Sequence, residues 1–440
     1  MRKLMLAFLV VMGLAMPMAA ELCTPDAVPA ASLLLPYFEV DIENPDGVTT
    51  LFSINNASFE AALAHVTLWT DLSVPVLDFD VYLTGYDVVT INLRDIIING
   101  VIPRTADDAR DPSDSISNQG LFSDDVTFAS CAGALPPPAT IGSLYTSHLQ
   151  ASLTGGASAL LGGLCSGLNY GDGIARGYVT IDSVNACSIL FPGDLGYFLE
   201  GGLGLANNQN VLWGDYFHVD SANNFAQGDV LVHLEAEGTA SNGDIYGDFF
   251  AAGDHTFYGR YVAAAATDGR EALPSTYGVR YLNGGAFDGG TQLTIWREST
   301  TPASSPFTCP ATIGRPAWYP LGLTQVVVFD EEENPVTQEG CSVSPCPTED
   351  VLAIPAEAQR VIVGSDQLPV VEDFGWLYMN FNTTVAGDPH ADVYAQAFVS
   401  ANMDASGRFS VGFQAVSLNQ LCNTGILDGL NQNVSLSEIN

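Results

Sequence analysis

Lysine is almost missing from this chain of 440 residues, because the only lysine is Lys3, close to the amino terminus. The chain has 13 basic residues against 50 acidic ones, and its formal net charge is −37 at pH 7. Proteins that bind nucleic acid or anionic membrane surfaces need a basic patch to neutralise phosphates. The sequence therefore predicts no nucleic-acid partner. Beyond residue 3 it also excludes Schiff-base chemistry and P-loops, which need a lysine amine.

The sequence also lacks the short motifs of common enzyme classes. It contains no G-x-S-x-G elbow and no H-E-x-x-H pair, and no lysine follows the glycine-rich run at 201–204. Paired carboxylates for glycoside hydrolysis stay open, since 50 acids offer many pairs and the sequence does not give their separation in space. The absence of motifs favours a protein without catalytic activity.

Long hydrophobic runs are missing too, apart from one near the start of the chain. Arg2 and Lys3 precede an apolar stretch at 4–14, and small residues at 17–20 suit signal peptidase. The stretch is shorter than the ~20 residues that a membrane-spanning helix needs. We predict a signal peptide at 1–20 and a mature protein that does not insert into a membrane. It would be secreted or held at the cell surface, with the periplasm as a further location.

Eight cysteines follow the predicted signal, and an even number in an exported chain indicates up to four disulfides. They are Cys23, Cys131, Cys165, Cys187, Cys309, Cys341, Cys346 and Cys422. The sequence does not choose among the pairings, although Cys23 with Cys422 would tie distant strands together. A zinc–thiolate site is the alternative, but no C-x-x-C pair is present to support it.

Turn-forming residues predict an all-β fold. The chain has 43 Gly and 24 Pro, and its 33 Asp outnumber 17 Glu, which is typical of strands joined by many turns. We predict an immunoglobulin-like β-sandwich, a second β-rich sandwich unit and few short helices, of which the main one lies at 141–153. Leu144, Tyr145, His148, Leu149 and Ser152 recur at helical spacing, Gly155 and Gly156 end the helix, and we expect it to pack across the end of a sandwich. One of the strands predicted for the second unit lies at 256–264. The predicted units are the signal at 1–20, N-terminal sandwich strands at 21–105, a loop-rich linker with a short helix at 106–170, a second β-rich domain at 171–300, and C-terminal strands at 301–440 that pack back on the sandwich.

Three runs of sequence carry a resemblance to known proteins. They are Thr-Leu-Phe-Ser-Ile-Asn-Asn at 50–56, His-Val-Thr-Leu-Trp at 65–69 and Val-Val-Thr-Ile-Asn-Leu at 88–93. They resemble immunoglobulin-like sandwiches of exported bacterial proteins, including uncharacterised secreted proteins of Gram-negative bacteria. The resemblance covers about sixty residues, and it implies a fold and no functional residue.

The best candidate metal site combines two histidines and two carboxylates. His218 and Asp220 share a face of one predicted strand, and His233 and Glu235 share a face of the next. The link at 221–228 is short enough for these strands to be antiparallel neighbours, in which case the four side chains converge and suit Zn²⁺ or another divalent ion.

The acidity of the chain also allows Ca²⁺ in loops, although no EF-hand loop or RTX-type repeat is present. A need for solubility in a protein with few other charges would produce the same acidity, and so would adaptation to salty surroundings. Calcium is therefore one of three interpretations, and solubility is the default among them.

A candidate ligand-binding face lies on the predicted hairpin of strands 64–70 and 77–83. Pairing across this hairpin would set Trp69 opposite Asp78, Thr67 opposite Asp80 and His65 opposite Tyr82. An outward aromatic ring beside carboxylates is how sugar-binding faces are built. The alternative is that Trp69 is covered by another segment and belongs to the core.

Two functional hypotheses follow. The first is an exported, disulfide-stabilised structural or surface-interaction protein without catalytic activity, whose partners are other surface proteins or glycans. The second is a secreted glycan-binding or glycan-hydrolysing protein that uses carboxylates and aromatics in a cleft. The isolated arginines at 94–408 are expected to hold acidic loops by pairing with carboxylates.

Overall fold

A computed structural model describes residues 27–103, 131, 140–236, 256–262, 267–298, 305–310, 326–336, 354–381, 383–384, 392–393 and 396–418. The strands are β1 (Ser32–Asp41), β2 (Thr49–Asn56), β3 (Ala62–Thr70), β4 (Pro75–Leu83), β5 (Val88–Asn92), β6 (Ile174–Ser183), β7 (Leu212–Trp213), β8 (Asp215–Asp220), β9 (Phe225–Val230), β10 (Val232–Leu234), β11 (Thr276–Leu282), β12 (Gly290–Arg297), β13 (Val326–Phe329), β14 (Pro335–Val336), β15 (Ala358–Ile362), β16 (Phe374–Asn380), β17 (Thr383–Thr384), β18 (Asp392–Val393), β19 (Ala397–Asp404), β20 (Ser410–Gln414) and β21 (Val416–Ser417). The predicted all-β class is confirmed.

Helical structure is sparse in the described residues. Helix α1 spans Ser143–Leu153, and a π-helical turn spans Asp95–Asn99. Two short 3₁₀ turns lie at Glu200–Gly202 and Gly259–Tyr261. Within the described part of the chain, no helix combines the length and the apolar character needed to cross a bilayer.

The first sandwich consists of two antiparallel sheets. Sheet 1 has the strand order β10-β1-β6-β3-β4, and sheet 2 has the order β5-β2-β8-β9, with β7 beside β2. Alternate residues of sheet 1, such as Leu33, Val66 and Val179, point into a core with Phe52 and Tyr216 of sheet 2. Burial of each such aliphatic side chain stabilises the fold by about 1.5–3 kcal/mol.

The second sandwich is built in the same way from later strands. Sheet 3 has the order β14-β13-β16-β11-β21, and sheet 4 has the order β15-β12-β19-β20. Val279 and Leu377 of sheet 3 share a core with Ile295 and Val399 of sheet 4. The strands β17 and β18 pair only with each other among the described residues.

A third, aromatic-rich layer joins the two sandwiches. It lies on the face of sheet 1 that points away from the first core, and we call it the junction face. Trp69 and Tyr178 of this face pack with Trp296 and Phe398 of sheet 4. Both faces of sheet 1 are therefore covered, which explains why all nine residues of β3 are buried.

Helix α1 closes one end of the first sandwich, as predicted. Leu149 and Leu153 join the first core, but Leu144 and Tyr145, which the sequence placed on the same face, are about half exposed. Gly155 follows the helix at φ +72°, and a Cβ there would lie 2.3 Å from the carbonyl carbon and oxygen of Leu168. The predicted stop signal is therefore correct, since only glycine suits that conformation and that close approach.

The described part of the chain contains two disulfides, Cys131–Cys187 and Cys165–Cys309, as expected for an exported, stabilised protein. They span 56 and 144 residues of sequence, so the loss of chain entropy in the unfolded state stabilises the fold by about 4–5 kcal/mol each in the simple loop model. Cys23, Cys341, Cys346 and Cys422 lie outside the described residues, as does the suggested Cys23–Cys422 pair.

The sheets group the strands differently from the predicted units. The strands of 171–300 are divided, since β6 to β10 complete the first sandwich while β11 and β12 belong to the second. The later strands pair with β11 and β12, and they reach the first sandwich through the junction face. The predicted strand at 256–264 is wrong over its described part, which holds a 3₁₀ turn. The immunoglobulin-like detail stays a prediction.

Candidate functional site

The predicted ligand-binding residues lie on the junction face, on the predicted hairpin of β3 and β4. The hairpin is present, but its register differs by two residues from the expected one. His65 lies opposite Asp80, Thr67 opposite Asp78, and Leu63 opposite Tyr82, while Trp69 lies opposite Pro75 after an irregularity at 68–69. The expected pairs of Trp69 with Asp78 and of His65 with Tyr82 are therefore wrong, although the side chains share one face of the sheet.

His65 is enclosed among three carboxylates. Its Nδ1 lies 2.8 Å from Asp80 Oδ1, and its Nε2 lies 4.0 Å from Asp78 Oδ2. Asp182 is its partner on the neighbouring strand β6. Burial lowers the pKa of His65, but the hydrogen bond to Asp80 and the nearby negative charges outweigh it, so the pKa is raised overall. Burial also raises the pKa of Asp78 to about 6. Such a histidine is suited to holding a proton inside the protein.

Trp69 and Tyr82 are both buried, at 1% and 0% exposure. The Trp69 ring stacks on Tyr178, with ring centroids 5.6 Å apart, and its Nε1 donates to Thr180 Oγ1 at 2.9 Å. Trp296 of the second sandwich belongs to the same buried layer and helps to cover this ring. The alternative stated for Trp69 is therefore confirmed, and the ring is not available to stack on a ligand.

Asp182 is the centre of the first of three buried carboxylate clusters on the junction face. It accepts hydrogen bonds from Ser32, from Tyr197 at 2.7 Å and from Tyr258 at 3.0 Å. Arg270, which is 1% exposed, donates from Nε to Ser32 Oγ at 3.0 Å. The carboxylate thus reaches a guanidinium through one hydroxyl, which reduces the cost of its burial.

Glu357 is the centre of the second cluster and joins the two sandwiches directly. It comes just before β15, is fully buried, and pairs with Arg260 and with Ser73 Oγ. The hydroxyls of Ser73 and Tyr178 lie 2.6 Å apart. Nearby, burial raises the pKa of Glu298 to about 7, against the opposing charge of Arg260.

Glu39 is the centre of the third cluster. Tyr37 donates to Glu39 Oε1 at 2.6 Å, and Arg360 of β15 lies 2.8 Å from Glu39 Oε2. Arg176 approaches Oε1 to 3.7 Å, while it also pairs with Asp172 through two nitrogens at 2.9 and 2.6 Å. The last contact matches the prediction that arginines hold acidic loops.

The three clusters share one design. Each connects a buried carboxylate to a guanidinium from another part of the fold, directly for Glu39 and Glu357 and through the Ser32 hydroxyl for Asp182. Buried ion pairs contribute little net stability against apolar packing, but they strongly penalise any arrangement that separates the partners. The geometry is therefore suited to fixing one relative position of the two sandwiches.

The predicted metal site does not form. His218 lies on β8 in sheet 2, whereas His233 lies on β10 in sheet 1. The strand β9 occupies the position beside β8 that the prediction gave to the strand of His233, and it sets Gln227 opposite His218. His218 instead contacts Thr50 Oγ1 through Nδ1 at 3.0 Å. Within the described ranges, which include Asp220 and Glu235, no three His, Cys, Asp or Glu side chains are grouped as metal ligands would be.

Sequence reasoning missed Glu357, Arg260 and Arg270, whose hydrogen bonds and ion pairs form much of the buried clusters at the junction face. Their only signal was the scarcity of cations, since each buried arginine in so acidic a chain needs a specific partner. The partners are 97 residues apart for Arg260 and Glu357, and 238 for Arg270 and Ser32. Local patterns do not report contacts over such distances.

Comparisons of the chain with protein-family models, with curated proteins and with solved structures found no match.

Proposed function

We propose that this protein is an exported, disulfide-stabilised scaffold of a bacterium that acts through its surface and catalyses no reaction. The observation that carries the proposal is the enclosure of the junction face. His65, Asp182 and Glu357, whose side chains could serve acid–base chemistry, are all fully buried. A substrate would have to separate the two sandwiches to reach them.

The disulfides and the acidity support the same proposal. Disulfides persist in oxidising compartments outside the cytosol. The high net charge keeps a protein with few other charged groups soluble. Together with the predicted signal peptide, these features favour a durable extracellular or periplasmic protein whose partners are surface proteins or glycans.

Export of the full chain from a Gram-negative host tests the location. We expect a processed mature chain in the periplasm or the medium, with Cys131–Cys187 and Cys165–Cys309 found as linked peptides by mass spectrometry. A chain that stays in the cytosol with free thiols at these positions would contradict the proposal.

A turnover screen tests the absence of catalysis. The purified protein and its His65→Ala variant would be compared on chromogenic glycosides, esters and peptides. We expect no turnover by either protein. Turnover that is present in the natural chain and lost in His65→Ala would show that the junction face is an active site.

The glycan-binding hypothesis loses the aromatic residues on which it first depended. Trp69 and Tyr82 are buried in the layer between the two sandwiches, so they offer no stacking surface. A similar set of side chains on sheet 3 lines a cleft, which is a separate candidate for binding a ligand.

A further inference from the structure

A cleft of about 480 Å³ lies on the face of sheet 3 that points away from the second core. We call it the Trp376 cleft, and it is lined by Arg280, Asp330, Glu331, Glu333, Gly375 and Trp376. In β11 and β16, the neighbours Val279, Tyr281 and Leu377 point into the core, so Arg280 and Trp376 point outward. Arg280 lies directly opposite Trp376 in the register of the sheet.

The indole of Trp376 is held in place from one side. Phe329 is its partner on β13, and the two rings stack with centroids 4.0 Å apart and an interplanar angle of 4°. Arg280 is on the strand at the other side of Trp376. One face of the indole is thus fixed by Phe329, while the side toward Arg280 borders the cleft.

An ordered turn supplies the carboxylates. Asp330 Oδ1 accepts from the backbone N–H groups of Glu332 and Asn334, both at 2.9 Å. These bonds make a rigid turn that carries Glu331 and Glu333, both exposed, at the rim of the cleft. Asp330 therefore builds the turn, and the other two carboxylates are presented to solvent.

The cleft contains unused hydrogen-bonding capacity of both kinds. Among the described residues, Arg280 makes no hydrogen bond or ion pair, and its guanidinium is a donor of five N–H groups. Glu331 and Glu333 likewise have no side-chain partner within the described ranges, and their carboxylates only accept. A ligand that fits both must offer donors and acceptors close together.

This combination discriminates between classes of ligand. An anion is repelled by the three carboxylates of the lining. An organic cation can pair with these carboxylates, but it leaves the N–H groups of Arg280 without an acceptor. A sugar hydroxyl both donates and accepts, and the C–H face of a sugar ring packs on an indole. We propose that the Trp376 cleft binds a neutral carbohydrate. The site is separate from the junction face, so its failure would leave the proposed scaffold role unaffected.

The test is a binding measurement on the full mature protein. Cellopentaose, mannopentaose, maltopentaose and xylopentaose would be titrated while tryptophan fluorescence and heat are recorded. We expect at least one of these sugars to bind. Trp376→Ala should weaken the binding by roughly tenfold or more, and Arg280→Gln and Glu333→Gln by several-fold, because each removes one element of the match. Trp213→Ala, which changes an indole that is 41% exposed elsewhere, should bind as the natural chain does.

Folding does not confuse the result, because Arg280 and Glu333 are exposed and their variants keep the strands and the turn. Two outcomes would overturn the proposal. One is no binding of any of the four sugars, whether or not spermidine or dextran sulfate binds in a Trp376-dependent way. The other is sugar binding that all three cleft variants leave unchanged.

Discussion

Two faces of this molecule carry the same kinds of side chain and differ in what lies over them. On the junction face, Trp69 stacks on Tyr178 and lies within a layer of buried carboxylates and arginines. On the outer face of sheet 3, Trp376 stacks on Phe329 beside Arg280 and an acidic turn. The first face is sealed by sheet 4, while the second borders an open cleft. An aromatic ring beside carboxylates therefore stabilises the packing of the sheets where it is covered, and is accessible to a ligand where it is not.

The largest expected effect comes from breaking a pair on the sealed face. Glu357→Ala leaves the buried Arg260 without its carboxylate, and we expect it to lower the free energy of unfolding by about 3–5 kcal/mol. Urea denaturation followed by circular dichroism measures the change. Glu331→Ala, at the open cleft, is the matched control and should change the free energy by less than about 0.5 kcal/mol. Equal effects of the two variants would contradict the comparison.

A smaller effect is expected from trimming the two tryptophans. Trp69→Phe removes the indole N–H that bonds Thr180 and leaves a gap in the buried layer, which should cost about 2–3 kcal/mol. Trp376→Phe keeps an aromatic ring on Phe329 at a half-buried position, so we expect a loss of less than about 1 kcal/mol. Thermal unfolding of both variants checks the order. A larger loss for Trp376→Phe would reverse the roles that we give to the two faces.

The buried carboxyls should also make the stability of the protein depend on pH. Burial raises the pKa values of Asp71 and Glu298 to about 7, and the pKa of His65 is raised as well. These three groups bind more protons in the folded state than in the unfolded state between about pH 4 and 7, so their contribution to the free energy of unfolding decreases as pH rises. Burial lowers the pKa values of His148 and His218, and these two histidines contribute in the opposite direction. Each carboxyl contributes up to about 1.4 kcal/mol per pH unit.

Urea unfolding at a series of pH values between 4.5 and 8 measures this slope. Asp71→Asn should flatten it, because the amide does not titrate. Asp330→Asn is the control at the open face, where hydrogen bonds from the turn lower the pKa of Asp330, and it should leave the slope unchanged in this range. A slope that Asp71→Asn does not alter would show that this carboxyl is not the source.

The smallest effect on stability is expected for Arg280→Gln. Arg280 is exposed and makes no ion pair among the described residues, so the free energy of unfolding should change by less than about 0.5 kcal/mol. Arg270→Gln on the sealed face removes a guanidinium that bonds Ser32, Asn208 and two backbone carbonyls, and it should be clearly destabilising. Differential scanning fluorimetry of the pair is sufficient, and similar melting temperatures would argue against the assigned roles.

Local sequence patterns predicted the parts of the fold that depend on neighbouring residues. The alternation of Leu77 to Leu83 identified β4, and Gly155 marked the end of α1, because strand pleat and helix termination are set within a few residues. The register of β3 on β4 was off by two because the connection is shorter than expected: β4 begins at Pro75, and the N–H of Thr70 already donates to the carbonyl of Val74. Most of the strand β9 falls in the segment 221–228 that was predicted as a link, since its sequence Phe-Ala-Gln-Gly-Asp-Val has little apolar alternation.

The sequence by itself determined that this protein is an acidic, all-β chain with few basic residues and with cysteines suited to disulfides. These properties follow from composition and from periodicity, which are local. Only the tertiary structure decided that Trp69 is sealed while Trp376 borders a cleft, and that His218 and His233 belong to different sheets. Those outcomes depend on which strands pair with each other and on which carboxylates the arginines contact. The partners are tens to hundreds of residues apart, and the packing of whole sheets selects them, so they leave no local pattern in the sequence.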